Sequence, residues 1–135
     1  MYAQRIIETS LYVDDLDAAE HFYTRILGLA VYGKVAGRHV FFRCGQNMFL
    51  VFNAAATQQP GSEVPTHGAQ GPGHAAFAMR HADIAMWRDH LVQNQVAIET
   101  EIEWPSGGYS LYFRDPAGNS LELTTPLTWN LPEAA

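Results

Sequence analysis

The chain has almost no cysteine and no long apolar stretch. Cys44 is its single cysteine, so no disulfide can form within the chain, which is typical of proteins kept in a reducing compartment. No apolar run approaches the ~20 residues of a membrane-spanning helix, and residues 1–5 lead into a predicted strand instead of the apolar stretch of a signal peptide. We therefore expect a cytoplasmic protein without a membrane partner.

Basic residues are also scarce. Lys34 is the only lysine, and the formal net charge is −6 over 135 residues. Binding to nucleic acid requires a basic stripe, so the composition argues against that partner and leaves a small-molecule substrate open. The length suits one domain with a real core, or two small similar modules.

The hydrophobic pattern of the first half occurs again in the second half. In each half, one strand-like segment is followed by one helix-like segment and then by three more strand-like segments. The stretch 54–73 between the two halves is too rich in glycine and proline for a regular element. The segments of the first half lie at about 5–13, 15–27 (helix), 29–34, 38–43 and 47–53, and those of the second half at 74–80, 82–93 (helix), 96–103, 108–114 and 119–125. This order predicts an α+β fold in which residues 1–135 form a single domain of two β-α-β-β-β modules, at about 5–53 and 74–125.

Three charged or ionisable side chains interrupt the apolar alternation of these strands. Glu8 lies opposite Ile7 and its apolar neighbours, His74 lies opposite Phe77, and Glu122 lies between two leucines. A single polar residue on a strand is more often just solvated. Two carboxylates and an imidazole that converge on one concave face, however, are the ligands of a divalent cation. The three residues together therefore predict a metal site.

Several segments resemble the vicinal oxygen chelate superfamily, which includes glyoxalase I, bleomycin-binding proteins, fosfomycin-resistance thiol transferases and extradiol dioxygenases. The resemblance runs from residue 5 to about 126 and lies in Leu11-Tyr12-Val13-Asp14-Asp15-Leu16, Phe22-Tyr23, Leu27-Gly28-Leu29, Gly73-His74-Ala75-Ala76-Phe77, Tyr112-Phe113-Arg114-Asp115-Pro116-Ala117-Gly118-Asn119 and Leu121-Glu122-Leu123. It implies a glyoxalase-like fold, in which two modules form a curled mixed-sheet half-barrel around a divalent metal that the substrate chelates through adjacent oxygens.

The resemblance also implies which residues bind the metal. Glu8, His74 and Glu122 match ligand positions, whereas Leu50 stands near a fourth ligand position and cannot coordinate. Three protein ligands leave coordination positions open for a substrate. The ligand layout is most similar to the fosfomycin-resistance group, but Ile102 and Leu131 stand near the places where that group carries a basic residue.

We accordingly expect an enzyme of the lyase, isomerase or thiol-transfer type that uses one Mn²⁺, Fe²⁺, Co²⁺, Ni²⁺ or Zn²⁺ ion per site to stabilise an oxyanion or enolate. Three alternatives remain open: a metal-free binding protein resembling the bleomycin-sequestering members, an extradiol-type dioxygenase, and a domain that retains the fold without catalysis. Fold analogy alone does not choose among them.

Other residues of the strands and turns are expected to contact the substrate. Tyr112 and Ser110 are the candidate catalytic donors to a developing oxyanion, and they could instead merely line the pocket wall. The expected substrate-binding residues are Ser10, Leu50, Ser106, Arg114 and Trp104. Arg114 could equally brace Asp115 in the adjacent turn, Trp104 could serve in packing, and the roles of His39 and His67 stay open.

The exposed sheet face carrying Leu50 and Phe52 needs a covering surface, which a second copy of the chain related by a two-fold axis supplies. In the resembling families, modules often exchange between chains. We therefore expect a homodimer with two equivalent sites, each of which joins Glu8 to His74 and Glu122 of the partner subunit. The linker 54–73 would allow the two halves to part.

Overall fold

The computed structural model of the chain describes residues 1–133. They divide into two compact units, residues 1–73 (unit 1) and the residues from His74 onward (unit 2). Each unit contains one four-stranded mixed sheet, as the repeated pattern predicted. No helix in the described part of the chain is long and apolar enough to span a bilayer.

The elements of unit 1 are β1 (Glu8–Tyr12), α1 (Leu16–Arg25), β2 (Ala30–Val35), β3 (His39–Cys44), β4 (Asn47–Phe52) and α2 (Ala54–Thr57). The strand order is β1-β4-β3-β2, with β1 parallel to β4 and the other pairs antiparallel. Helix α1 begins after Asp15, whose carboxylate accepts a hydrogen bond from the Ala18 N–H, and it stops before Gly28, whose φ of 66° favours glycine.

The core of unit 1 lies between α1 and one face of the sheet. Tyr23 of α1 is fully buried, and its ring centroid lies 4.9 Å from that of Phe49 and 5.7 Å from that of Phe42. Leu11 and Val51 are buried on the same face. Because strand side chains alternate, the opposite face carries the residues that the sequence predicted for a pocket.

The elements of unit 2 are β5 (His74–Ala78), a 3₁₀ turn (His81–Asp83), α3 (Ile84–Gln93), β6 (Thr100–Glu103), β7 (Tyr109–Arg114), β8 (Ser120–Thr124) and a second 3₁₀ turn (Pro126–Trp129). Its strand order, β5-β8-β7-β6, repeats that of unit 1. Leu91 of α3 is fully buried, as are the strand residues Leu111, Phe113 and Leu121. The turn between β7 and β8 is closed by Asp115, whose carboxylate accepts hydrogen bonds from the Ala117 and Asn119 N–H groups.

Four details differ from the sequence-based expectation. Strand β1 begins at Glu8 instead of residue 5, and β6 begins at Thr100 instead of residue 96. The stretch 54–73, predicted to lack regular structure, opens with α2, because the Asn53 side chain accepts a hydrogen bond from the Ala56 N–H and caps one helical turn. Phe77, which the alternation places on the apolar face of β5 opposite His74, is only partly buried.

The strand registers make the two units directly comparable. Glu8 pairs with Met48 across β1 and β4, and His74 pairs with Ser120 across β5 and β8. Two residues further along, Leu50 and Glu122 therefore occupy equivalent positions. The equivalence agrees with the expected replacement of a ligand by leucine in unit 1.

Adjacent residues of α3 provide a test of the unit 2 core. Leu91 is 0% exposed and Val92 is 62% exposed. We expect Leu91→Ala to lower the free energy of unfolding by about 2–5 kcal/mol through lost burial and a cavity, and Val92→Ala to change it by less than about 0.5 kcal/mol. Urea denaturation followed by circular dichroism measures both values. Equal losses in the two variants would contradict the assigned helix orientation.

Candidate functional site

Strands β5 and β8 bring His74 and Glu122 together. The Nε2 atom of His74 lies 3.3 Å from Oε2 of Glu122. His74 is the first residue of β5 and is exposed, whereas Glu122 lies in the middle of β8 and is 7% exposed. Two of the three expected metal ligands thus form a pair within one unit.

The hydrogen bond of the other ring nitrogen fixes the orientation of the His74 ring. Nδ1 lies 3.0 Å from the Ser120 carbonyl oxygen, which can only accept, so Nδ1 carries the hydrogen. In the neutral ring Nε2 then presents its lone pair towards Glu122, and a backbone carbonyl is a usual partner for the second nitrogen of a metal-binding histidine.

The separation of these atoms also suits a bound cation. A metal at ~2.0–2.2 Å from a histidine nitrogen and a carboxylate oxygen holds the two atoms about 3.0–3.4 Å apart. The pair therefore fits one edge of a divalent-metal coordination sphere. A protonated His74 would instead donate directly to Glu122.

The buried carboxylate of Glu122 is held by a serine. Ser110, on β7, is fully buried, and its hydroxyl donates to Oε1 of Glu122 over 2.6 Å. The same hydroxyl oxygen accepts from Nε1 of Trp104 over 2.8 Å. Ser110 and Trp104, expected to contact the substrate, are therefore placed to orient the carboxylate.

Two threonines extend this hydrogen-bond chain. Because the single hydrogen of Ser110 goes to Glu122, Thr124 donates to Ser110 over 2.8 Å, and Thr128 in turn donates to Thr124 over 2.8 Å. A Cβ at Gly108 would lie 2.3 Å from the backbone nitrogen of Thr128, so only glycine permits this approach. Sequence reasoning missed Thr128, because it lies beyond the last strand.

Tyr112 lies beside the ligand pair on β7. Its register partner across β8 is Glu122, and its ring centroid lies 6.4 Å from that of His74. Burial, followed by the charge of Glu122 and hydrogen bonding to it, raises the pKa of Tyr112. The phenol therefore keeps its hydrogen at neutral pH and remains a donor.

Glu8 belongs to a pocket of unit 1. This cavity of about 800 Å³, the unit 1 pocket, is lined by side chains of all four strands, by Arg38 in the β2–β3 turn and by the loop residues 64–67. Its floor includes Leu50, which is 8% exposed, and Phe52, while Ser10 pairs with Leu50 across β1 and β4. Among residues 1–133, no group of three or more His, Cys, Asp or Glu side chains could hold a metal ion. The combination of Glu8 with the unit 2 pair stays a prediction.

Two further candidate residues have local partners in unit 2. The guanidinium of Arg114 donates to the Glu99 carboxylate and to the Gly118 carbonyl of the β7–β8 turn. Ser106 lies in the β6–β7 turn, and its hydroxyl accepts from the Gly108 N–H over 3.4 Å. Their expected contacts with substrate also stay predictions.

The unit 1 pocket contains basic residues whose role the sequence left open or did not reveal. His39 and His67 both line it, and Tyr12 shares a 2.6 Å hydrogen bond with Nδ1 of His67. Arg38 and Arg43 line the same pocket. His39 and Arg43 could have been predicted from the alternation of β3, because they lie opposite the buried Phe42.

The sequence matches the family model described as the Glyoxalase/Bleomycin resistance protein/Dioxygenase superfamily over residues 5–123. A search of the curated proteins gave no match. Among solved structures, lactoylglutathione lyase from Agrobacterium tumefaciens is 39% identical, with a TM-score of 0.92 over 96% of this chain and 98% of that one.

More distant structures share the fold. A glyoxalase/bleomycin resistance protein/dioxygenase from Nocardioides is 19% identical, with a TM-score of 0.74 over 100% of this chain and 91% of that one. An integron cassette protein of V. cholerae is 22% identical, with a TM-score of 0.72 over 93% of this chain and 97% of that one. The two mixed sheets have the glyoxalase-like fold, and the chain belongs to the Glyoxalase/Bleomycin resistance protein/Dioxygenase superfamily.

Proposed function

We propose that the protein is a divalent-metal-dependent enzyme of the lyase or isomerase type, which binds a small substrate through two adjacent oxygens. The observation that carries this proposal is the pair formed by His74 and Glu122, in which a lone pair of an oriented imidazole faces a buried carboxylate oxygen at 3.3 Å. The donor set suits Mn²⁺, Fe²⁺, Co²⁺, Ni²⁺ or Zn²⁺.

The lactoylglutathione lyase from Agrobacterium tumefaciens supports a lyase reaction, since it is 39% identical over nearly the whole chain. The lactoyl thioester in that enzyme's name carries a hydroxyl next to a carbonyl, and these two oxygens can chelate one metal ion. A glutathione thioester or hemithioacetal is therefore the first substrate class to test.

Each residue near the pair has a definite task in the proposed reaction. When bound, the cation would act as a Lewis acid that polarises the substrate oxygens. His74 and Glu122 would hold it through Nε2 and Oε2, with Ser110 fixing the carboxylate through Oε1. Tyr112, beside His74 and Glu122, would donate a hydrogen bond to a substrate oxygen that gains negative charge, because a tyrosine phenol is protonated at neutral pH.

Glu8 would complete the site in a homodimer, with each cation held between Glu8 and the partner subunit's His74 and Glu122. The exposed edge strand β2 and the exposed side chains of Ile6 and Ile7 support a covering second copy.

Removal of any one ligand should abolish metal binding. We expect purified protein to contain about one transition-metal ion per chain, and Glu8→Ala, His74→Ala and Glu122→Ala each to lose it while remaining folded, because the three side chains lie on the sheet faces opposite the apolar faces that pack on the helices. Glu103→Ala, an exposed carboxylate of β6, is the matched control and should keep the metal. Elemental analysis and circular dichroism are the measurements.

The outcome also tests the reaction class. A wild-type protein that takes up none of the five metals after incubation with excess ion contradicts the proposal and favours a metal-free binding protein. If the wild type does take up metal, the metal-loaded protein is screened with glutathione hemithioacetals, epoxides and catechols. Turnover should be lost in the ligand variants but not in Glu103→Ala.

The exchange of modules between chains can be tested by complementation. A Glu8→Ala chain mixed with a His74→Ala, Glu122→Ala double variant should recover about one metal ion per heterodimer, because one of the two shared sites then has all its ligands. Heterodimers purified through two different affinity tags give the stoichiometry. If they form but stay metal-free, the site lies within single chains.

Ser110 should control metal affinity without touching the metal. Ser110→Ala removes the hydrogen bond to Oε1 of Glu122, and we expect metal to bind about 10–100-fold more weakly. Ser106→Ala removes a hydroxyl of the same unit that has no contact with Glu122, so its metal affinity should match the wild type. Competition with a chromogenic chelator measures both; an unchanged affinity in Ser110→Ala would show that the serine is not needed to orient the ligand.

A further inference from the structure

Arg38 presents a guanidinium with few partners to the unit 1 pocket. Its Nη1 donates to Nδ1 of His39 over 2.7 Å, and its Cζ lies 5.6 Å from the centre of the Phe52 ring. Within residues 1–133 it forms no ion pair with a carboxylate. By contrast, Lys34, Arg80, Arg88 and Arg114 each pair with a carboxylate. Since a guanidinium has five N–H donors, most of those of Arg38 can serve a ligand.

His39 adds a further donor beside it. Arginine can only donate, so Nδ1 of His39 accepts and the ring hydrogen lies on Nε2. Burial and the charge of Arg38 lower the pKa of His39, which keeps the ring neutral and this arrangement intact at neutral pH. The ring also stacks on Phe41, with the centroids 3.8 Å apart, which limits its movement.

The register places these donors at one end of the unit 1 pocket. His39 pairs with Phe52, and Phe52 pairs with Tyr12, whereas Glu8 lies four residues before Tyr12 on β1. Four residues of strand span about 13 Å. The intervening row is formed by Phe41 and Leu50, so an apolar surface separates the basic end from Glu8.

Loop residue His67 covers the basic end. Its ring centroid lies 4.6 Å from that of Phe52, and its backbone N–H donates to the Thr57 carbonyl. The charged residues that line the whole pocket are Glu8, Arg38 and Arg43, which sum to a positive charge within a chain whose formal net charge is −6. A local excess of unpaired guanidinium in an acidic protein favours an anionic ligand.

We propose that Arg38 and His39 form an oxyanion subsite, which binds a carboxylate or phosphate group of the substrate about 13 Å from Glu8. The apolar row of Phe41 and Leu50 contacts the part of the substrate between that group and the chelating oxygens. The assignment of the anion to the substrate rests on the proposed function, whereas the binding of an oxyanion by Arg38 does not.

Small probes test the subsite directly. The full-length protein as purified, Arg38→Gln and Arg38→Lys are titrated with benzoate, phenyl phosphate and the neutral analogue benzamide, and the His39 ring signals are followed by NMR. We expect at least one oxyanion to bind the wild type about tenfold or more tightly than it binds Arg38→Gln, and more tightly than benzamide binds. Arg38→Lys should recover only part of the affinity, because the planar fork is lost.

Arg43→Gln is the matched control. It removes the other arginine of the pocket that has no ion pair, which lies level with Glu8 and Met48 across the sheet. This position is about 13 Å along β3 from His39, which is more than the Debye length at physiological salt. If the oxyanion binds equally to wild type and Arg38→Gln, or does not bind to the wild type, the proposed subsite is wrong. A preference for benzoate or for phenyl phosphate identifies the group as carboxylate or phosphate.

The metal and the oxyanion have separate readouts. Glu122→Ala should lose metal yet bind the oxyanion like the wild type, because Glu122 is absent from the lining of the unit 1 pocket. If the wild type binds no metal but its oxyanion affinity depends on Arg38, the proposed function is wrong and the subsite is supported. If the wild type binds metal but its oxyanion affinity does not depend on Arg38, the subsite is wrong and the proposed function stands.

Discussion

Glu122 is 7% exposed, and each oxygen of its carboxylate needs a partner, because an unpaired buried charge is very costly. The polar interior of unit 2 follows from this requirement. Ser110 is fully buried and donates its hydrogen to Oε1 of Glu122, and its oxygen accepts hydrogen bonds from Thr124 and Trp104. His74 faces the remaining oxygen, so the need to satisfy one carboxylate positions both the candidate ligands and their supports.

The two units have the same strand pattern but carry different side chains at equivalent positions. Equivalent positions carry Leu50 in unit 1 and Glu122 in unit 2, so one sheet has an apolar residue where the other has a carboxylate. Arg43 and Arg114 are also equivalent by register, yet Arg114 is neutralised by Glu99 while Arg43 lies over the Tyr32 ring. Unit 1 therefore has basic and apolar side chains on this face, and unit 2 has polar ones.

The period-two alternation was sufficient to predict the sheet faces, since it placed His74, Glu122 and Tyr112 on one side of unit 2 before any pairing was known. It could not predict partners, which depend on register between segments distant in sequence. The bond from Trp104 to Ser110 requires the β6–β7 turn to fold back, and the contact of Arg38 with His39 depends on rotamers at the start of β3. Helix α2 was missed because one capped turn has too few residues to show a period.

The parallel pairing of β5 with β8 has a consequence for the order of folding. His74 and Ser120, which this pairing joins, are 46 residues apart, whereas β6, β7 and β8 pair with sequence neighbours. Loop-closure entropy delays the long-range pairing, so the β6–β7–β8 meander can form while β5 is still unpaired. Such an intermediate would already bury Glu122 beside Ser110 but would lack the imidazole. The pair of His74 and Glu122, on which the proposed metal site depends, is therefore complete only after the last step of folding of the unit.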